Sequence, residues 1–186
     1  MTETFSTMLP LGTIAPDFKL LDIRSGEQVS LYDVQSSVAT IIIFMCNHCP
    51  YVKHILPKLI EVVKIYQLKG ISFTAISSND VTRYPEDNPE AMKLAIKKYD
   101  FTFPYLYDET QAVARAYQAV CTPDFFVFDD KLACVYRGRF DDSTPGNGHP
   151  VTGRDLRQAL DALLTGKPIS AEQKPSLGCN IKWKEN

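Results

Sequence analysis

The stretch of sequence that decides the fold is IIIFMCNHCPYVKHILP, residues 41–57. It begins within an apolar, β-branched run, residues 39–45, which predicts a strand buried on both faces. From Pro50 to residue 68, apolar side chains recur with the period of an amphipathic helix. A proline suits the first turn of a helix, because its missing N–H would have no partner there. The stretch therefore predicts a buried strand that leads directly into a helix.

Two cysteines, Cys46 and Cys49, lie at this junction in a Cys-x-x-Cys arrangement. The free N–H groups and the dipole of a helix N-terminus favour an anion. A thiolate is such an anion, and in such places its pKa falls from roughly 8.5 to about 3.5–7.5. The pair therefore predicts thiol chemistry rather than inert packing. His48, between the cysteines, is either a cation or proton shuttle that favours the thiolate, or an exposed spacer residue.

Length and composition favour one globular domain. The chain has 186 residues, 45% of them hydrophobic and 23% charged, with a net charge of −2. This charge gives no electrostatic reason to expect nucleic acid or an anionic membrane as partner. No apolar run reaches the roughly 18 residues of a membrane span, and we see no secretory signal. The odd number of cysteines, five, argues against a disulfide framework and favours the reducing cytoplasm.

Strand and helix patterns alternate along the chain. The strand patterns are at residues 18–21, 28–31, 39–45, 71–77, 104–107, 124–128 and 133–137. The helix patterns are at residues 50–68, 89–99, 109–118 and 152–164. This order predicts a central mixed β-sheet with helices on both faces. We expect a lead-in at residues 1–14, one domain at residues 15–169, and a C-terminal tail at residues 170–186 that packs on or near the domain.

Three features resemble the thioredoxin superfamily, and more closely its peroxiredoxin-like branch, the alkyl hydroperoxide reductase/thiol-specific antioxidant (AhpC/TSA) family. Residues 15–20 and 29–31 look like the N-terminal β-hairpin of that branch. The cysteine pair lies at the matching junction. Cys121-Thr122-Pro123, followed by an apolar strand, looks like the superfamily's cis-proline loop. The resemblance covers most of the chain and implies a thioredoxin-like α/β fold. It also implies a substrate groove beside the reactive cysteine, lined by Cys121, Thr122, Pro123 and His48.

Pro57 indicates which cysteine is the nucleophile. In thioredoxins a similar proline, which kinks the helix, lies eight residues after the nucleophilic cysteine, and counting back from Pro57 leads to Cys49. By the same match, Cys46 stands where a peroxiredoxin carries the Thr or Ser that orients peroxide. The resemblance therefore implies poor peroxide reduction, with Cys46 as a resolving thiol. Arg137 and Arg139 are the candidates for the peroxiredoxin arginine.

The other three cysteines have open roles. Cys121 is either a third redox thiol or a small buried apolar residue. Cys134 lies in a predicted strand, and we expect it to pack in the core. Cys179 is either an additional, distant resolving thiol or a side chain that the tail buries.

The sequence supports three functions, in decreasing order. In a thiol–disulfide oxidoreductase, Cys49 attacks a substrate disulfide and Cys46 resolves the mixed disulfide. In a thiol peroxidase, Cys49 becomes a sulfenic acid and condenses with Cys46. In a metal-binding protein, Cys46, Cys49, Cys121 and either Cys179 or His48 hold Zn or Cu(I). The first function predicts no cofactor and no metal. Its substrate is a protein or small-molecule disulfide, its reductant is undefined, and the oligomeric state stays open.

Overall fold

The structure, a computed structural model, describes residues 3–185. The strands are β1 (Glu3–Phe5), β2 (Lys19–Asp22), β3 (Gln28–Ser30), β4 (Ala39–Phe44), β5 (Ile71–Ser77), β6 (Tyr105–Tyr107), β7 (Cys121–Thr122), β8 (Asp124–Phe128), β9 (Cys134–Gly138) and β10 (Leu177–Asn180). The α-helices are α1 (Leu31–Val34), α2 (Pro50–Gln67), α3 (Pro89–Tyr99), α4 (Ala112–Ala116) and α5 (Arg154–Leu164). A short 3₁₀ helix spans Pro85–Asp87.

Seven strands form a central mixed sheet in the order β3-β2-β6-β5-β4-β8-β9. The middle of this sheet is β4, β5 and β6, with β4 parallel to β5 and β5 parallel to β6. On its other side β4 pairs antiparallel with β8, which pairs antiparallel with β9. The hairpin of β2 and β3 closes the far edge. The predicted thioredoxin-like α/β fold, with its N-terminal β-hairpin, is therefore confirmed.

Helices cover both faces of this sheet, because the side chains of β4 alternate between two cores. Ile41 and Ile43 lie in a core with the buried faces of α2 and α5. Ile42 and Phe44 lie in a second core, with residues of α1 and α4. All six residues of β4 are buried, as expected for a strand covered on both faces.

Helix α2 follows β4 after a turn of five residues, and Cys49 is its N-cap residue. Pro50 occupies the first turn, and the helix continues through Pro57 to Gln67. The predicted position of Cys49 at the start of this helix is therefore confirmed. The helix buries one apolar stripe, made of Val52, Ile55, Leu56, Leu59, Val62, Val63 and Tyr66.

A second, three-stranded sheet was absent from the sequence-based expectations. Its order is β1-β10-β7, and both pairings are antiparallel. The segment expected as a lead-in thus supplies β1, and the tail supplies β10. Within residues 3–185, none of the helices combines the length and apolarity needed to cross a bilayer.

Helix α1 follows β3 directly and lies where the sequence shows no helix pattern. A capping box explains the helix: the Ser30 hydroxyl accepts a hydrogen bond from the backbone N–H of Asp33, and the Asp33 carboxylate accepts one from the Ser30 N–H.

Candidate functional site

Cys49 lies at the centre of the candidate site and is fully buried. As a thiol it donates a hydrogen bond to the backbone oxygen of Thr122, at 3.2 Å. As a thiolate it accepts hydrogen bonds from the thiols of Cys179 and Cys46. The side chain of Thr122 and the backbone N–H of Val52, in the first turn of α2, also favour the thiolate. Donors therefore outnumber acceptors around this sulfur.

These donors lower the pKa of Cys49 far below its usual range, with Cys179 the largest cause and Cys46 the next. Burial acts in the opposite direction, but it is outweighed. The reduced protein therefore holds Cys49 as a thiolate at neutral pH, the form that attacks disulfides. The sequence predicted this direction from the helix N-terminus alone, and the structure adds the two neighbouring thiols.

Cys46 has the opposite electrostatic environment. Its hydrogen bond to Cys49, its burial and the negative charge of Asp87 all raise its pKa well above the usual range. Its Sγ also lies 3.5 Å from the hydroxyl of Thr122 and 3.9 Å from Nδ1 of His48. Cys46 is thus a protonated thiol that donates to the Cys49 thiolate.

Asp87 holds the backbone between the two cysteines. Its carboxylate is fully buried and accepts hydrogen bonds from the backbone N–H groups of Asn47 and His48, at 2.7 and 3.1 Å. It also pairs with Nδ1 of His48 at 2.5 Å and accepts from the side chain of Asn79 at 2.8 Å. The His48 ring stacks on Tyr84, with ring centroids 5.4 Å apart. His48 is therefore fixed beside Cys46 and is not an exposed spacer residue.

The Asp87→Asn variant should lose stability in a pH-dependent way. Burial raises the pKa of Asp87, but hydrogen bonds from His48 and Asn79 outweigh it, and the net shift lies below the usual 3.8. A carboxyl group whose pKa is lower in the folded state stabilises the protein at pH values above its unfolded-state pKa. This stabilisation is lost as the pH falls through the folded-state pKa. The variant should therefore unfold about 1–3 kcal/mol more easily at neutral pH.

Urea unfolding of wild type and Asp87→Asn at several pH values tests this expectation. The difference between them should be constant near neutrality and shrink below pH 3.8. The matched control is Asp130→Asn, in the exposed turn after β8, which should stay within about 0.5 kcal/mol of wild type. A difference for Asp87→Asn that did not change with pH would contradict the role given to its charge.

The loop at residues 121–123 brings the second predicted part of the site to the cysteines. The peptide bond between Thr122 and Pro123 is cis, as predicted. Thr122 contacts both Cys46 and Cys49. Cys121 is fully buried, and burial, followed by Asp124 and Cys49, raises its pKa. A groove beside this loop is lined by residues that include Tyr51, Ile55, Pro123, Phe140, Ser176 and Leu177.

Cys179 is buried in the same core as the cysteine pair. Strand β10 pairs it with Thr122, and its thiol hydrogen-bonds to Cys49, which together with burial raises the pKa of Cys179. The sequence left two alternatives, a distant resolving thiol or a thiol buried by the tail. The structure shows a thiol that is buried by the tail and lies beside Cys49. Cys134 lies in the other core, as expected for packing.

Sequence reasoning missed Asp87 and Asn79. Both follow β5, which runs parallel to β4, so the carboxyl ends of the two strands share one edge of the sheet. Polar residues after the neighbouring strand were the available signal.

The ligand atoms of Cys46, His48 and Asp87 all lie within 4.8 Å of one another, close enough to share a metal ion. The donor set fits poorly, however. Nδ1 of His48 and the Asp87 carboxylate bind each other, and Asp87 already accepts from three further N–H groups. Cys46 also keeps its proton, whereas metals bind the thiolate.

Comparison with known proteins identifies relatives over the whole chain. A crystal structure of an uncharacterized conserved protein from Geobacillus kaustophilus has 55% sequence identity and a TM-score of 0.98, and the match covers 100% of this chain and 98% of that chain. The thioredoxin domain of a thiol-disulfide oxidoreductase from Bacteroides vulgatus has 18% identity and a TM-score of 0.64, covering 82% of this chain and 99% of that one. At this identity the likeness shows the fold alone.

Among curated proteins, the Thiol-disulfide oxidoreductase ResA of Geobacillus thermodenitrificans (strain NG80-2) is 26% identical over 162 residues, which are 86% of this chain and 82% of the relative. Residues 11–137 match the AhpC/TSA family, a span that contains the hairpin, the cysteine pair and the cis-proline loop. The fold, the site geometry and this match lead to one conclusion: the chain belongs to the AhpC/TSA family of the thioredoxin superfamily.

Proposed function

We propose that this protein is a thiol–disulfide oxidoreductase in which Cys49 is the nucleophile and Cys46 a resolving thiol. The observation that carries the proposal is the hydrogen bond between the two sulfurs, with Cys49 as thiolate and Cys46 as thiol. Cys49 is thus ionised for nucleophilic attack, and Cys46 keeps its proton until the mixed disulfide has formed. The curated relatives named thiol-disulfide oxidoreductase support the same chemistry.

The proposed reaction has two exchange steps. The Cys49 thiolate attacks one sulfur of a substrate disulfide, forms a mixed disulfide and releases the first substrate thiolate. The Cys49 sulfur is then uncharged, so its contribution to the raised pKa of Cys46 disappears. Cys46 gives up its proton to the released substrate thiolate and attacks the Cys49 sulfur. The second substrate thiolate leaves, and the Cys46–Cys49 disulfide is later reduced by an external dithiol.

Peroxide reduction is the second candidate and has less support. Arg137 and Arg139, the candidates for the peroxiredoxin arginine, form their hydrogen bonds and ion pairs with groups other than Cys49. Arg137 donates to the backbone oxygen of Leu9 and to Gln173, and Arg139 pairs with Asp155. The position three residues before Cys49 carries a thiol instead of the peroxide-orienting hydroxyl.

The purified protein should reduce the disulfides of insulin with dithiothreitol as donor, faster than dithiothreitol alone. Its kcat/KM for hydrogen peroxide should stay below about 10⁴ M⁻¹s⁻¹. Both rates can be measured on one preparation. Peroxide turnover above that value, together with insulin reduction no faster than the donor alone, would reverse the order of the two functions.

A further inference from the structure

Among the described residues, Cys179 is the one cysteine outside the Cys46–Cys49 pair whose thiol hydrogen-bonds to the Cys49 thiolate. Cys49 therefore has two thiol neighbours, Cys46 from the preceding turn and Cys179 from the C-terminal strand β10. Disulfide exchange needs only that a thiolate reach the sulfur under attack. The mechanism above uses Cys46 and leaves Cys179 without a role.

The backbone of β10 holds Cys179 at this place. Cys179 pairs with Thr122, the residue whose backbone oxygen contacts the Cys49 sulfur. The preceding residue, Gly178, packs so closely that an added Cβ would lie 2.0 Å from the same backbone oxygen. Only glycine allows this approach, so the contact between the strand and the loop depends on the residue at position 178.

The residues after Cys179 anchor the strand from the other side. The backbone N–H of Ile181 donates to Val120 O at 2.9 Å, and that of Lys182 donates to the buried side chain of Asn79 at 2.8 Å. The side chain of Gln111, also buried, donates to Lys182 O at 2.8 Å. Cys179 is thus part of an ordered structure and not the end of a loose tail.

We propose that Cys179 is a second resolving thiol, which attacks the Cys49 sulfur of a mixed disulfide directly. The step rests on the proposed function, since it needs a mixed disulfide on Cys49. Cys179 gives up its proton to the substrate thiolate released in the first exchange, a Cys49–Cys179 bond forms, the bond between Cys49 and the second substrate sulfur breaks, and that part of the substrate leaves as a thiolate. The substrate disulfide is the oxidant, so two protein thiols are oxidised and two substrate thiols are produced.

The permanent charges around the two resolving thiols favour Cys179. In the reduced protein the Cys49 thiolate and burial raise the pKa of both. A mixed disulfide removes the charge on Cys49. Cys46 then still has the anion Asp87 beside it, which raises its pKa. Cys179 has the cation Lys182 and the backbone N–H of Tyr51, which lower its pKa. The hydroxyl of Thr122 acts on Cys46 in the opposite direction to Asp87. The charged neighbours, Asp87 beside Cys46 and Lys182 beside Cys179, thus favour ionisation of Cys179.

The test is to treat the Cys46→Ser variant with cystamine, a small disulfide, and to follow intact mass and peptide maps after acid quenching. We expect a Cys49–Cys179 disulfide and no retained cysteamine. The Cys46→Ser/Cys179→Ser double variant should keep cysteamine on Cys49 at least about tenfold longer. Cys46→Ser/Cys134→Ser is the matched control, because Cys134 is buried in the other core, and it should behave as Cys46→Ser does.

Equal retention of cysteamine by the single and double variants overturns the role of Cys179 while leaving the nucleophile in place. A Cys49–Cys121 disulfide in the single variant overturns it too. If Cys49 takes up no cysteamine and enters no disulfide in any variant, the proposed function and this inference fail together. A second double variant, Cys46→Ser/Cys179→Ala, and thermal unfolding of every variant control for a folding defect. If a folded double variant releases cysteamine from Cys49 as fast as Cys46→Ser does, the proposal is refuted.

Discussion

The Cys49→Ser variant should lose disulfide reduction down to the rate of the donor alone. Cys49 is the only sulfur in the described chain that its neighbours hold as a thiolate, and the serine hydroxyl cannot replace it as a nucleophile at neutral pH. Cys46 and Cys179 remain in this variant, but burial and Asp87 still raise the pKa of Cys46. We therefore expect a loss of at least about 10³-fold, with the fold intact.

The same difference in ionisation should appear without substrate. When the reduced wild-type protein is treated with less than one equivalent of iodoacetamide near pH 7, peptide mapping should find the label on Cys49. The labelling rate should change little as pH falls toward 5, because the lowered pKa of Cys49 keeps the thiolate present. A label mainly on Cys46, or a stable mixed disulfide on Cys46 in the Cys49→Ser variant, would show that the first cysteine is the nucleophile.

Local patterns were enough to predict the part of the site that lies within one segment of chain. The apolar run of β4 and the helical period after Pro50 placed Cys49 at a helix start, and the structure has it there. The loop with the cis bond before Pro123 was also predicted, because the residues that resemble the family loop are adjacent in sequence. In these cases the residues that determine the structure are sequence neighbours.

The rest of the site depends on pairings between distant segments. Strand β10 has four residues and β7 has two, too few for an alternating pattern to show. Their register, which puts Cys179 opposite Thr122, is set by the close approach of Gly178 and by hydrogen bonds of the residues that follow. Asp87 acts through four hydrogen bonds, and three of them reach residues 39 or 40 positions away. Neither pairing can be read from a single segment of the chain.

These distant pairings also control access to the reactive sulfur. Cys49 is fully buried, and Cys46 and Cys179 are each only 2% exposed. A substrate disulfide can therefore reach Cys49 only after part of its cover moves. Strand β10 brings the side chain of Cys179 from outside the central sheet onto Cys49, and it is held by two short antiparallel pairings. Short strands of this kind open locally at lower cost than the central sheet.

The Gly178→Ala variant should expose Cys49. A methyl group at this position would lie 2.0 Å from Thr122 O and 2.6 Å from Thr122 C, both of them backbone atoms that cannot rotate away. Strand β10 must then separate from β7, at a cost of about 1–3 kcal/mol. Since about 1.4 kcal/mol corresponds to a factor of ten, the fraction of molecules with β10 displaced should rise by about fivefold or more.

The measurement is the rate of Cys49 alkylation by excess iodoacetamide at a pH where Cys49 is already a thiolate, so that the rate reports access and not ionisation. Gly178→Ala should react at least about fivefold faster than wild type, at a temperature well below its unfolding temperature. Gly26→Ala is the matched control. Its position has a φ of +80° and no atom within 4 Å of the added Cβ, so it loses about 1 kcal/mol through backbone strain in the distant hairpin turn. Equal rates in the two variants would show that general destabilisation, and not displacement of β10, admits the reagent to Cys49.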